Sequence, residues 1–126
     1  MNAIRYDSQS FSPEIGRMLI RAGVSPHISG FAMLGTAVRL TLEGGGGHKI
    51  TGDLYPEVAK LFGTTPYSVE RNIRTAIARA WSLGALKNFY DGIGMYADHR
   101  PSNAACIAQL AYAYANGMVD EQKKAQ

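Results

Sequence analysis

Apolar residues recur every three to four positions along separate stretches of this chain. No stretch alternates convincingly with a period of two, so the pattern predicts helices rather than strands. In the first stretch Ser12 reads as an N-cap, Pro13 as the first helical residue and Glu14 as a favourable first-turn acid. Ile15, Met18, Leu19 and Ile20 follow, and Gly23 stops that helix. VSPHISG is a loop, because Pro26 pushes Ser25 out of the α region. The second helix, FAMLGTAVRLTLE, is expected to bury Phe31, Leu34, Val38 and Leu42. Its interior Gly35 costs about 1 kcal/mol relative to alanine, so close packing or a backbone need must justify it. The run GGGGHK then serves as a mobile connector.

Asp53 is expected to cap a third helix carrying Tyr55, Val58, Ala59 and Phe62 and closed by Gly63. Pro66 suits the first turn of a long helix ending near Leu83 and Gly84, and one short helical turn follows around Leu86 to Tyr90. RPSN introduces the last helix, with Ser102 or Asn103 as its cap, a stripe of Ile107, Leu110, Ala111 and Tyr114, and Asn116-Gly117 as its stop. The predicted architecture is an all-α compact bundle of about six helices containing a helix-turn-helix. It occupies residues 12–118, with a flexible arm at 1–11 and a frayed tail at 119–126.

The segment Leu54 to Trp81 carries the most information. In its long helix, Val69, Ile73, Ala76, Ile77, Ala80 and Trp81 form an apolar face, opposite Ser68, Arg71, Asn72, Arg74 and Thr75. A helix anchored on one side and offering arginines and short polar groups on the other suits the DNA major groove. Ala59 is small enough for close helix packing, Gly63 suits a sharp turn, and Val69 and Ile73 pin the second helix onto Val58 and Phe62. A plain αα-hairpin uses the same glycine and spacing, so the surface chemistry has to decide. Arg71 and Arg74 lie about 60° apart around the helix, and either fits the O6 and N7 of guanine. Glu70 either accepts from a cytosine amino group or pairs with Arg74 one turn on. Thr65, Tyr67 and Ser68 are placed to donate to phosphates at a helix N-terminus that itself favours an anion. Arg79, Lys87 and Arg100 lie further along, as isolated cations that reach the DNA backbone or are simply solvated.

Bulk properties narrow the classes. At 126 residues the chain is one domain, and its formal charge of +3 with a pI near 9.1 permits nucleic-acid binding without demanding it. The single cysteine, Cys106, excludes an internal disulfide and sits in a helical apolar context, where a packing role outweighs a reactive one. Apolar runs are too short to cross a bilayer and no secretory signal opens the chain, so a cytoplasmic protein is expected. GGGGHKIT fails as a phosphate-binding loop, because His48 separates glycine from lysine and a helix precedes the glycines. His27, His48 and His99 share no metal-ligand spacing, and Asp98-His99 lacks a nucleophile motif. No metal, cofactor or enzymatic activity is expected.

GVSPHISGFAMLGTAV, LYPEVAKLFGTTPYSVERNIRTAIARAW and RPSN together resemble the C-terminal DNA-binding effector domain of the sporulation master response regulator of spore-forming Firmicutes. The resemblance spans roughly Ile15 to Gly117 and goes well beyond a generic helix-turn-helix. It implies a six-helix domain binding a short DNA box, commonly in tandem copies contacted by a head-to-tail homodimer. It also implies action through RNA polymerase and its sigma factor at activated promoters. The family's reading residues carry over onto Glu70, Arg71 and Arg74. The chain departs at Ser68, where the family often has arginine, at Thr75, often histidine, and in its four-glycine connector. No receiver-like βα pattern precedes Phe11, so the sequence is either a domain cut from a longer regulator or, as the starting Met favours, a free-standing protein controlled by its expression level or by a partner. The competing expectation is a protein-interaction module of the same fold with weakened DNA binding, contacting a full-length regulator or sigma factor.

Overall fold

The computed structural model describes residues 11–44 and 53–119. Six helices follow one another among them: α1 (Pro13–Arg21), α2 (Ser29–Glu43), α3 (Leu54–Phe62), α4 (Pro66–Ser82), α5 (Ala85–Gly92) and α6 (Asn103–Ala115). The described residues contain no strand, so the architecture is the expected all-α bundle. The arm at 1–10, the connector beyond Gly44 and the tail from 120 lie outside the described residues.

Caps place three of the helix starts. Ser12 Oγ accepts from the Ile15 amide at 3.3 Å, Thr65 Oγ1 from Ser68 at 3.0 Å and Ser102 Oγ from Ala105 at 3.1 Å. Each satisfies one amide that a first helical turn leaves unpaired. Ser102, not Asn103, is therefore the cap of α6. Asp53 occupies the cap position of α3 but makes no side-chain capping bond, contrary to expectation. Its backbone, at φ −107° and ψ −23°, is helical, whereas a capping side chain needs an extended residue to turn back onto the first turn.

Helix α2 is the hub, packing against α1, α3, α4 and α6. It starts at Ser29, two residues earlier than the sequence suggested, because Gly30 belongs to the crossing with α4. A Cβ on Gly30 would collide with the Asn72 carbonyl oxygen and come within 2.7 Å of Ala76 Cβ. Gly35 is explained by close packing too: the Phe11 ring lies over it and meets Phe31 edge-on at 5.9 Å between centroids. Phe11, assigned to the arm from sequence, is thus part of the packed structure. At the other end Val119 is buried, and Arg21 donates to its carbonyl at 3.2 Å.

Leu34 and Val38 are buried as expected, while Phe31, Leu42, Phe62, Trp81 and Tyr114 are only half-buried on the core's margin. Ile20 faces outward, 52% exposed, so the inner face of α1 is Ile15, Met18 and Leu19. Helix α5 is longer than the single turn expected. Leu86, Phe89 and Tyr90 bury one of its faces, and such packing sustains a helix too short to persist alone.

Candidate nucleic-acid interface

Helices α3 and α4 form the predicted helix-turn-helix. Val58, Val69 and Ile73 are fully buried where the two helices pack, with Ala59 beside them. Gly63 ends α3 in the left-handed region at φ 64°, where a side chain is strained. Thr64 N–H then bonds back to the Ala59 carbonyl at 3.0 Å, and Thr65 caps α4 one residue later. The turn is therefore tight, and it leaves the N-terminal half of α4 projecting.

Five of the seven candidate contact residues are exposed there: Thr65, Tyr67, Arg71, Arg74 and Thr75, with Tyr67 71% exposed. Ser68 and Glu70 are half-covered. Thr65 Oγ1 accepts the capping bond, which leaves its own O–H free to donate outward. Arg71 carries no hydrogen bond or ion pair to any described residue. Arg74 is held by Glu70 through two contacts, Nε to Oε2 at 3.1 Å and Nη2 to Oε1 at 3.3 Å. The carboxylate raises the guanidinium's already high pKa. Of the two roles open to Glu70, the ion pair is the one present in the structure.

Asn72, assigned from sequence to the outer face, belongs elsewhere. Its side chain donates to the Ser68 carbonyl at 2.9 Å and to Ser68 Oγ at 3.2 Å, and its own carbonyl lies at the Gly30 crossing. About 100° of rotation separates it from Arg71, which turns it toward α2. Ser68 is thereby engaged within the helix.

Sequence reasoning missed the part played by Asn103. Relieved of capping by Ser102, it donates to the Glu70 carbonyl on α4 at 3.0 Å and interacts with the Tyr55 hydroxyl on α3. Burial raises the Tyr55 pKa, and the Asn103 bond works against that rise. One side chain thus ties the start of α6 to both helices of the helix-turn-helix. The two adjacent polar residues of RPSN were the only signal, and they suggested alternative caps rather than two jobs.

Lys87, Asp98 and His99 do not join this face. Lys87 pairs with Asp91 on α5 at 3.4 Å, and Asp98 contacts His99 at 3.0 Å in an exposed loop, which lowers the carboxyl pKa. No group of metal-ligating side chains occurs among the described residues, and His48 lies outside them. Cys106 is buried, and desolvation pushes its thiol up to about 11. No helix among the described residues is long and apolar enough to cross a membrane. Compared with known protein families, residues 15–113 match the one described as Sporulation initiation factor Spo0A C terminal.

Proposed function

This chain belongs to the Spo0A C-terminal family, a family of DNA-binding transcription regulators of sporulation, and from that premise we propose that it reads DNA sequence with α4 in the major groove. Arg71 forks onto a guanine, Glu70 accepts from a cytosine amino group, and Arg74 reads a base or clamps a phosphate once released from Glu70. Thr65, Tyr67 and Ser68 donate to phosphates around the helix N-terminus, and Thr75 faces the next base step. The observation that carries this reading is the exposed Arg71, without a partner among the described residues, beside the Glu70–Arg74 pair on a helix whose opposite face is buried. Binding to tandem boxes as a homodimer, and contact with a sigma factor, extend the proposal.

The test begins with selection of bound sequences from a random duplex pool. The selected and scrambled duplexes are then titrated against wild type and Arg71→Ala. The variant should lose most of the preference; an unchanged ratio of affinities refutes the role of Arg71. The interaction-module reading draws on Ser68 and Arg74 already being engaged by Asn72 and Glu70. Failure to bind any duplex at low salt, together with capture of a sigma factor, would favour it.

A further inference from the structure

Arg79 and Arg100 are distant in sequence, and the fold brings them to one groove. At about 100° per residue, Thr75, Ala78 and Ser82 run roughly in line with Arg71 along α4. Arg74 stands about 60° to one side of that line and Arg79 about 80° to the other. Arg100, on the loop before α6, adjoins Arg74. Arg74, Thr75, Ala78, Arg79, Ser82 and Arg100, together with the exposed Leu83, line an open groove of about 450 Å³. Three guanidiniums surround Thr75, Ala78 and Ser82, Leu83 closes one end, and no carboxylate among the described residues lines it. Glu70 reaches Arg74 from an adjoining cleft of about 330 Å³. The guanidiniums of Arg79 and Arg100 are exposed and have no partner among the described residues.

The spacing along α4 matters as much as the charge. Arg79 lies eight residues beyond Arg71, about 12 Å along the axis. That distance exceeds the roughly 8.5 Å depth of the major groove. A helix whose first turns read base edges therefore delivers Arg79 to the rim, where the phosphates run. We infer that this groove seats a DNA backbone phosphate, gripped by Arg79 and Arg100, and so extends the interface beyond the helix-turn-helix. The inference rests on the major-groove reading above. Such contacts set register and affinity and carry no sequence information.

The test is a salt titration of the selected and scrambled duplexes with wild type, Arg79→Gln, Arg100→Gln and the double variant, using Lys87→Gln as a control outside the groove. Each phosphate contact contributes about 0.9 to the slope of log affinity against log salt. Between 50 and 200 mM salt, each single variant should therefore lose roughly 3-fold less affinity than wild type, and the double variant roughly 10-fold less. The ratio of selected to scrambled affinity should not move, and Arg79→Lys should keep the wild-type slope. An unchanged slope in the double variant overturns the groove assignment alone, as does an equal change in Lys87→Gln. A collapsed ratio makes these residues base readers and overturns the phosphate role. No binding by wild type at any salt overturns the major-groove reading as well. Both arginines are exposed, so an unchanged urea midpoint in each variant checks that the fold is intact.

Discussion

Replacing Gly30 with alanine should destabilise the domain, although alanine is the better helix former. The gain in helix propensity is at most about 1 kcal/mol, and less near a helix start. Against it stands the new methyl, which meets the Asn72 carbonyl oxygen and lies 2.7 Å from Ala76 Cβ. Both belong to α4, and a backbone carbonyl inside a packed helix cannot swing aside. Overpacking of this kind costs about 1–3 kcal/mol, which leaves a net loss of about 1–2 kcal/mol. For a domain of this size that is roughly 4–8 °C in Tm per kcal/mol. Gly35→Ala, in the same helix, is the control. The three atoms nearest its methyl all belong to the Phe11 ring, the far end of that side chain. That ring can move, so the change should fall within about 1 kcal/mol of neutral. Urea unfolding followed through the single tryptophan, Trp81, distinguishes the two, with a lowered midpoint and unchanged slope expected for Gly30→Ala. The clash also displaces α4, so affinity for the selected duplex should fall in Gly30→Ala and hold in Gly35→Ala. A Gly30→Ala domain as stable as wild type would refute the close crossing of α2 and α4.

Other consequences are as direct. Asn103→Ala removes a hydrogen bond to the Glu70 carbonyl and should cost about 1 kcal/mol in urea unfolding. It should also lower the preference for the selected duplex, although Asn103 lies outside the reading face. Glu70→Gln removes a carboxylate from beside the phosphates and frees Arg74, so binding to scrambled duplex should tighten while the preference for the selected one shrinks; titrations of both duplexes check this. Burial raises the Cys106 thiol to about 11, so the folded state holds its proton more tightly than the unfolded chain does. Stability from this source is complete below pH 9 and is lost as pH rises towards 11, and Cys106→Ala should lack that part of the alkaline decline in urea midpoints.

The period of the apolar positions made the helices legible because burial and periodicity are the same fact seen twice. Caps were legible where the residue is extended, as at Ser12, Thr65 and Ser102, and misleading at Asp53, where a helical backbone turns the carboxylate away. Gly30 looked like loop because propensity ignores neighbours; only the crossing helix explains a glycine there. The exposed face of α4 was visible as a stripe on one helix. Its edges were not, since Asn72 and Ser68 bond to each other along the helix, and Asn103 arrives from 33 residues beyond Glu70. Arg79 and Arg100 could not be joined from sequence, because nothing local relates the end of one helix to the loop before another.

These ties share one mechanical outcome. Helix α4 is held from below by Val69, Ile73 and Ile77 in the core, from one side by the Gly30 crossing and from another by Asn103. Most of its stabilising contacts lie away from the proposed reading face, so substitutions at Arg71 or Thr75 alter that face without loosening the helix. The scaffold thus separates holding from reading. Arg74 is the partial exception: Glu70 orients it through Nε and Nη2, and on the proposed reading that hold weakens when Glu70 finds a base to accept from. A cytosine amino group offers such a donor and a phosphate does not. On that reading the freedom of Arg74 couples to the base that Glu70 meets, so that one wrong base pair weakens two contacts at once. The coupling is measurable as non-additivity between Glu70→Gln and Arg74→Gln on the selected duplex, and additive losses would rule it out.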